Sequence, residues 1–195
     1  MNAAAARETL LALILERAYR EGDFTLSSGR KSRYYVNSKP VLLDGAGSAA
    51  FAVWVLDDLA GLAGGPPRAV GGLELGAVPP AVAIATLAAW RGDASPPAAF
   101  IVRKAAKGHG TAQRIEGALA AGDRVVVLDD VITTGASTLQ AIDAVEAAGA
   151  TVVRVYCLVD RREEHDPRLD AYVVRAAFRL ADITAAAAAR GGARG

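Results

Sequence analysis

Residues 124–138 read RVVVLDDVITTGAST: an apolar, β-branched run, two adjacent acids, then a small, hydroxyl-rich turn that opens helix-like sequence. A run of that kind, bounded by turn signals, suits a strand buried on both faces. In an open α/β sheet, ligands gather beyond the carboxyl ends of the strands, where Asp129 and Asp130 fall. Side chains alternate along a strand, so a regular strand cannot aim both acids the same way. One or both could hold ribose hydroxyls or a magnesium-bound water. Thr133, Thr134, Gly135, Ala136 and Ser137 then offer closely spaced N–H groups and hydroxyls at a helix N-terminus, a natural seat for a phosphate monoester. Such a helix end favours an anion by roughly 0.3–2 kcal/mol. Each charge-assisted hydrogen bond adds about 1.5–3 kcal/mol.

Outward from that segment, apolar runs alternate with helical patterns after residue 65, as in a mainly parallel sheet covered by helices on both faces. The expected strands are Ala69 to Leu73, Ala98 to Arg103, Arg124 to Leu128, Thr151 to Val159 and Ala171 to Phe178. Val78 to Trp90 and Ser137 to Ala148 read as helices, the second with Leu139, Ile142 and Val145 on one side. Ser137 followed by Gln140 is a capping-box pattern, and Gly149 suits the far end. Ala3 to Tyr19 and Gly47 to Leu62 also look helical. Between them, the basic, tyrosine-bearing segment 24–43 is expected to form a small subdomain over the sheet edge. The turns at 64–67 and 93–97 are too short to link domains, so one α/β domain is expected over residues 1–195, with about 20–45 forming an N-terminal hood. Ala185 to Gly195, alanine-rich and then Gly/Arg-rich, reads as a short helix that frays into a disordered tail.

Composition narrows the function. A net charge of +1 argues against general nucleic-acid binding, and 52% hydrophobic residues with 22% charged describe a globular chain. The apolar run Leu10 to Leu15 is far too short to span a membrane and reads as one face of a first helix, not as a secretion signal. Cys157, the one cysteine, can form no internal disulfide and sits in apolar sequence as a small core residue, which makes a cytoplasmic location the default. The charge distribution says more than the total. Arg30, Lys31, Arg33 and Lys39 form one acid-free basic cluster, and Arg103, Lys104, Lys107 and Arg114 another. Two such clusters on an otherwise acidic body suit a small polyanionic ligand. There is no G-x-x-x-x-G-K-S/T loop and no G-x-G-x-x-G after a strand, which excludes a nucleotide-hydrolysing P-loop and leaves dinucleotide binding unsupported. Two histidines, His109 and His165, without zinc-site spacing argue against a protein-ligated transition metal.

Two acids followed by a T-T-G turn resemble the phosphoribosyl pyrophosphate signature of the type I phosphoribosyltransferases. Four further segments, FTLSSGRKSRYYVNSKP at 24–40, GLELGAVP at 72–79, VRKAAKGHG at 102–110 and VDRRE at 159–163, resemble orotate phosphoribosyltransferase in the same order. That resemblance implies transfer of ribose 5-phosphate from phosphoribosyl pyrophosphate to orotate, with Mg2+ held mainly by substrate and reached through water by Asp129 or Asp130. It implies that Asp129, Asp130, Val131, Ile132, Thr133, Thr134, Gly135, Ala136 and Ser137 bind the ribose phosphate. A mobile loop would bring Arg103, Lys107 and His109 to the pyrophosphate, and Lys104 would serve the partner subunit, so a homodimer with shared active sites is implied. Lys104, Lys107, His109, Asp129 and Asp130 are then the catalytic candidates. Orotate would meet Thr133, Arg161, Tyr34 and Tyr35. Two positions depart from the family: Ser27 and Gly76 stand where many or some members carry lysine. The phosphate turn alone would also permit a salvage enzyme for another base, or a non-catalytic sensor of phosphoribosyl pyrophosphate. The 102–110 loop and Arg161 favour orotate.

Overall fold

The computed structural model describes residues 1–25, 31–105 and 114–192. The chain opens with helix α1 (Ala3–Leu13), capped by Asn2, and a π-helical turn over Ile14–Ala18. Strands β1 (Tyr19–Thr25) and β2 (Lys31–Val36) follow as an antiparallel pair, then the short helix α2 (Lys39–Leu42) and α3 (Gly45–Leu59). The remainder alternates strand and helix: β3 (Ala69–Leu73), α4 (Val78–Arg91), β4 (Ala98–Val102), β5 (Ile115–Gly117), β6 (Arg124–Ile132), α5 (Ala136–Ala147), β7 (Thr151–Asp160), β8 (Val174–Arg179) and α6 (Leu180–Gly192). Six strands make one sheet in the order β5-β4-β3-β6-β7-β8, parallel except for β5 against β4. This is the α/β architecture expected from the alternating pattern.

Alternation along β6 builds the two cores. Val126 and Leu128 face a core shared with α1, α3 and α4, which includes Phe51, Trp54 and Ile84. Val125 and Val127 face the other core, with Leu139, Ile142 and Val145 of α5. Fully burying a side chain of that size contributes roughly 1.5–3 kcal/mol. Those three residues, spaced for one helix face, therefore fix α5 against the sheet and fix where its N-terminus lies.

Several boundaries differ from the sequence reading, each for a physical reason. The strand expected to stop at Leu128 runs to Ile132, because β7 goes on pairing with it after the pairing with β3 has ended at Gly71 opposite Val127. Asp129 and Asp130 therefore lie inside the ladder on one side and past it on the other. The strand expected from Ala171 begins at Val174, since Asp166 caps a 3-10 turn over Pro167–Ala171. The first helix ends in its π turn before Tyr19, which belongs to β1, and the helix expected from Gly47 starts at Gly45 behind an Asp44 cap. The alanine-rich segment, expected as a short helix before its tail, is helical through Gly192 in a helix that begins at Leu180; Ile183 is buried and Ala187 packs on the core, so tertiary contact adds to alanine's helix propensity. The hood is the β1–β2 hairpin. The hairpin and the segment after it meet the carboxyl ends of β6 and β7 through the Ser38 hydroxyl, which donates to Asp130, and through Arg161, which donates to the Tyr34 carbonyl.

Candidate active site

A cavity of about 720 Å³ opens between the hood and the carboxyl end of β6. Lys31, Tyr35, Ser38 and Lys39 line it from the hood side, Asp130, Val131, Thr133 and Thr134 from the sheet, and Arg161, Glu163 and Glu164 from the segment after β7. Lys31 and Lys39 of the first basic cluster and the acid-turn segment, far apart in sequence, thus share one space.

The two acids take different roles, as strand alternation requires. Asp129 is 6% exposed and turned inward. Its Oδ2 accepts hydrogen bonds from the Ser137 hydroxyl at 2.8 Å and the Thr138 hydroxyl at 2.7 Å, and its Oδ1 accepts the Asp130 N–H at 2.9 Å. Burial pushes its pKa up to about 6, the Asp130 charge adding a little and the two hydroxyl donors opposing. Asp129 therefore ties the end of β6 to the first turn of α5. Asp130 faces the cavity. Its Oδ1 accepts the Val131 N–H at 2.9 Å and its Oδ2 accepts the Ser38 hydroxyl.

Between them, the turn has the expected shape with one correction. Gly135, not Ser137, is the N-cap of α5, and it takes a left-handed conformation at φ +83 where a Cβ would lie 2.9 Å from Leu169 Cδ2. A capping box at Ser137 and Gln140 is absent because the Ser137 hydroxyl is already given to Asp129. Thr133, Thr134 and Ala136 are exposed at the helix N-terminus, whose first-turn N–H groups have no partner within the helix. Ile132 is buried against α5 and can contribute only its backbone.

Arg161 is half-buried, and burial works against its charge. One Nη2 donates to the Tyr34 carbonyl at 3.3 Å, while its Nε is buried with no partner among the described residues. A guanidinium held this way has donor capacity left for a planar anion in the cavity. The tyrosine pair divides: Tyr35 lines the cavity and stacks on Phe24 at 5.4 Å, whereas the Tyr34 ring stacks on Tyr19 at 6.0 Å and only its carbonyl reaches the site.

Of the second basic cluster, the described members Arg103, Lys104 and Arg114 do not line this cavity. Arg103 is 3.5 Å from Glu116, and the Lys104 N–H is accepted by Glu74 at 2.9 Å, leaving the Lys104 side chain exposed. Lys107, His109 and Ser27 lie outside the described residues. Gly76 faces Asp130 so closely that a Cβ there would lie 2.5 Å from Oδ1. Among the described residues no group of three or more His, Cys, Asp or Glu could hold a metal ion. The donor set fits a magnesium ion bound chiefly by substrate phosphates, with Asp130 the carboxylate at the end of β6 that could contribute.

Lys39, which the sequence places with Lys31 in a basic cluster, lines the cavity with it. Sequence reasoning passed over Ser38, although it lies in the quoted 24–40 segment, and Thr138, one residue beyond the turn; nothing local marks Ser38 as a partner of residue 130.

Residues 38–180 match the family model described as a phosphoribosyl transferase domain. The chain is 46% identical over 182 residues to orotate phosphoribosyltransferase of Thermosynechococcus vestitus, covering 92% of this chain and 93% of that protein. Among solved structures, it resembles Mycobacterium tuberculosis orotate phosphoribosyltransferase in complex with 5-phospho-alpha-D-ribosyl 1-diphosphate, with a TM-score of 0.70 and 33% identity over 92% of this chain and 99% of that one. The adenine phosphoribosyltransferase of Leishmania tarentolae, at 17% identity and a TM-score of 0.60 over 89% of this chain and 88% of that one, shares the fold.

Proposed function

The chain belongs to the orotate phosphoribosyltransferase family, and from that premise we propose how its residues divide the work of the reaction. The reaction moves ribose 5-phosphate from phosphoribosyl pyrophosphate to orotate, releasing diphosphate and orotidine 5′-phosphate, a step of pyrimidine biosynthesis. The bond from C1 of the ribose to the diphosphate oxygen breaks, and a bond from C1 to a ring nitrogen of orotate forms. Positive charge builds on the sugar and negative charge on the leaving diphosphate.

The 5-phosphate sits at the N-terminus of α5, on the N–H groups and hydroxyls from Thr133 to Ser137. Asp130 accepts the ribose hydroxyls or a magnesium-bound water, and Asp129 holds the turn in place from beneath. When bound, magnesium supplies charge neutralisation at the diphosphate and ribose oxygens. Arg161 pairs with the orotate carboxylate, with Thr133 and Tyr35 beside it and Tyr34 acting through its carbonyl. Arg103, Lys107 and His109 meet the diphosphate, each preorganised donor contributing on the order of 10²–10³ in turnover. Orotate is already an anion, so no strong general base is required. His109 takes an electrostatic or proton-handling part.

Lys104 serves the site of a partner subunit in a homodimer. An exposed apolar groove along α3 and α4, with Leu43 70% and Trp90 84% exposed, supports an interface between copies. The chain acts as one catalytic unit, in the cytoplasm. No helix among the described residues is long and apolar enough to cross a membrane, and the near-neutral charge gives nucleic acid no footing.

One observation carries this assignment of roles: Asp130, the Thr133–Thr134 turn and Arg161 border the same 720 Å³ cavity. An absorbance assay with orotate, phosphoribosyl pyrophosphate and magnesium should show orotate consumed. Binding of the sugar diphosphate without any consumption of orotate would mark a sensor instead. Asp130→Asn should weaken binding of the magnesium complex in titration calorimetry, and unchanged binding would remove Asp130 from the site.

A further inference from the structure

Ser38 lies 92 residues before Asp130 in the sequence and donates its hydroxyl to Asp130 Oδ2. We infer that Ser38 is a positioning residue, a hydroxyl carried by the hood's connection to the body that fixes the carboxylate of Asp130 for the sugar diphosphate. The inference rests on the role given to Asp130 above.

The frame holding Ser38 is rigid. Its carbonyl accepts the Val41 N–H at 3.0 Å and the Leu42 N–H at 2.9 Å, and the preceding Asn37 N–H is bound to the Ala18 carbonyl at 3.0 Å. Val41 and Leu42 are fully buried, and α2 is pressed against Gly47, where any Cβ would collide with the Val41 carbonyl. Ser38 itself is 2% exposed. Serine at the start of a helix ordinarily caps it. Here the side chain makes no capping hydrogen bond to α2, so its hydroxyl is committed to Asp130.

The geometry at Asp130 gives that bond its consequence. Oδ1 is held by the Val131 N–H, Oδ2 by Ser38, and Gly76 leaves the room that the carboxylate occupies. Anchoring both oxygens selects one rotamer and leaves the remaining lone pairs directed at the cavity. A carboxylate fixed before the ligand arrives loses less side-chain freedom on binding. Without the hydroxyl, Asp130 keeps its charge and loses its aim. The effect should therefore fall on the ligand that Asp130 meets and not on orotate.

Ser38→Ala and Ser38→Cys, the second keeping the volume with a much weaker donor, should each raise KM for the magnesium complex of phosphoribosyl pyrophosphate by about 10- to 150-fold, the scale of a lost hydrogen bond to a charged group. KM for orotate and the ligand-free melting temperature should stay near wild type, and Ser38→Thr should return KM toward the wild-type value. Equal losses for both substrates, or melting temperatures falling in step with activity in both variants, would assign Ser38 to the fold alone and overturn the proposal, as would an unchanged KM in both. Asp130→Asn measured alongside separates the two levels: if it leaves KM for the sugar diphosphate untouched, the reading of Asp130 fails. If it raises KM and the Ser38 variants do not, only the positioning role fails.

Discussion

Adding a single methyl group at Gly76 tests the site without touching a charged residue. A Cβ there lies 2.5 Å from Asp130 Oδ1 and 2.8 Å from Cγ, against an ordinary separation near 3.5 Å, so the carboxylate must retreat by roughly 1 Å. The nearest atoms belong to a side chain, not to backbone, so the fold can yield. What gives way is the seat of Asp130, whose oxygens are aligned on Ser38 and on the Val131 N–H. Losing one such charge-assisted bond costs about 1.5–3 kcal/mol, and at about 1.4 kcal/mol per tenfold the affinity for the magnesium complex of phosphoribosyl pyrophosphate should fall by about 10- to 150-fold. Titration calorimetry reads that loss, while thermal denaturation without ligand should move little. Gly76→Lys should weaken binding at least as much as Gly76→Ala, although it restores a cation beside the diphosphate. An Ala variant binding within twofold of wild type would show that Asp130 is not held as described.

Arg161→Lys keeps the charge but loses the planar fork and the Nε that has no partner among the described residues, so KM for orotate should rise about tenfold or more with little change for phosphoribosyl pyrophosphate; equal rises for both would place Arg161 outside the orotate pocket. Lys107→Ala should lower kcat by about 10²–10³ at an unchanged melting temperature, and near-normal turnover would remove its role. Asp129 titrates higher in the fold, at about 6, than its ordinary 3.8. The folded chain then binds the proton more tightly than the unfolded one, so this group's contribution to stability declines as pH rises between those values. Denaturation across that window should show wild type losing stability relative to Asp129→Asn, and a constant gap would refute the shift. If Lys104 works across a dimer, mixed dimers of inactive Lys104→Ala and inactive Asp130→Asn subunits should recover part of the activity; none in confirmed mixed dimers would confine Lys104 to its own subunit.

How much of this was legible in the sequence depends on how local each signal is. β3 coincides with the expected Ala69 to Leu73, because a short apolar run between turns admits little else. β6 was read too short because acids look unlike strand residues, and only the β7 ladder carries them as strand. The capping box at Ser137 failed for a related reason: a hydroxyl that can cap a helix can equally serve a buried carboxylate, and the choice is made in three dimensions. The two tyrosines illustrate strand alternation, legible in principle once β2 is taken as a strand, since adjacent residues must face opposite ways. Ser38 had no such handle. Its partner is 92 residues away, and no periodicity or spacing announces that contact.

The adjacency of the two acids then has a physical explanation that neither residue supplies alone. One strand position must point into the protein and the next toward the ligand, and a carboxylate serves at both, with opposite demands. Inward, at Asp129, burial disfavours the charge, and two hydroxyls from α5 make it tolerable, so the penalty secures the helix N-terminus proposed to receive a phosphate. Outward, at Asp130, the carboxylate stays half-exposed, held at both oxygens and free to accept hydroxyls. Exchanging the two environments would leave a buried acid without donors and a phosphate turn without an anchor. Substitutions at the pair should therefore separate in kind, Asp129 variants altering stability and its pH dependence, and Asp130 variants altering affinity for the sugar diphosphate at nearly constant stability.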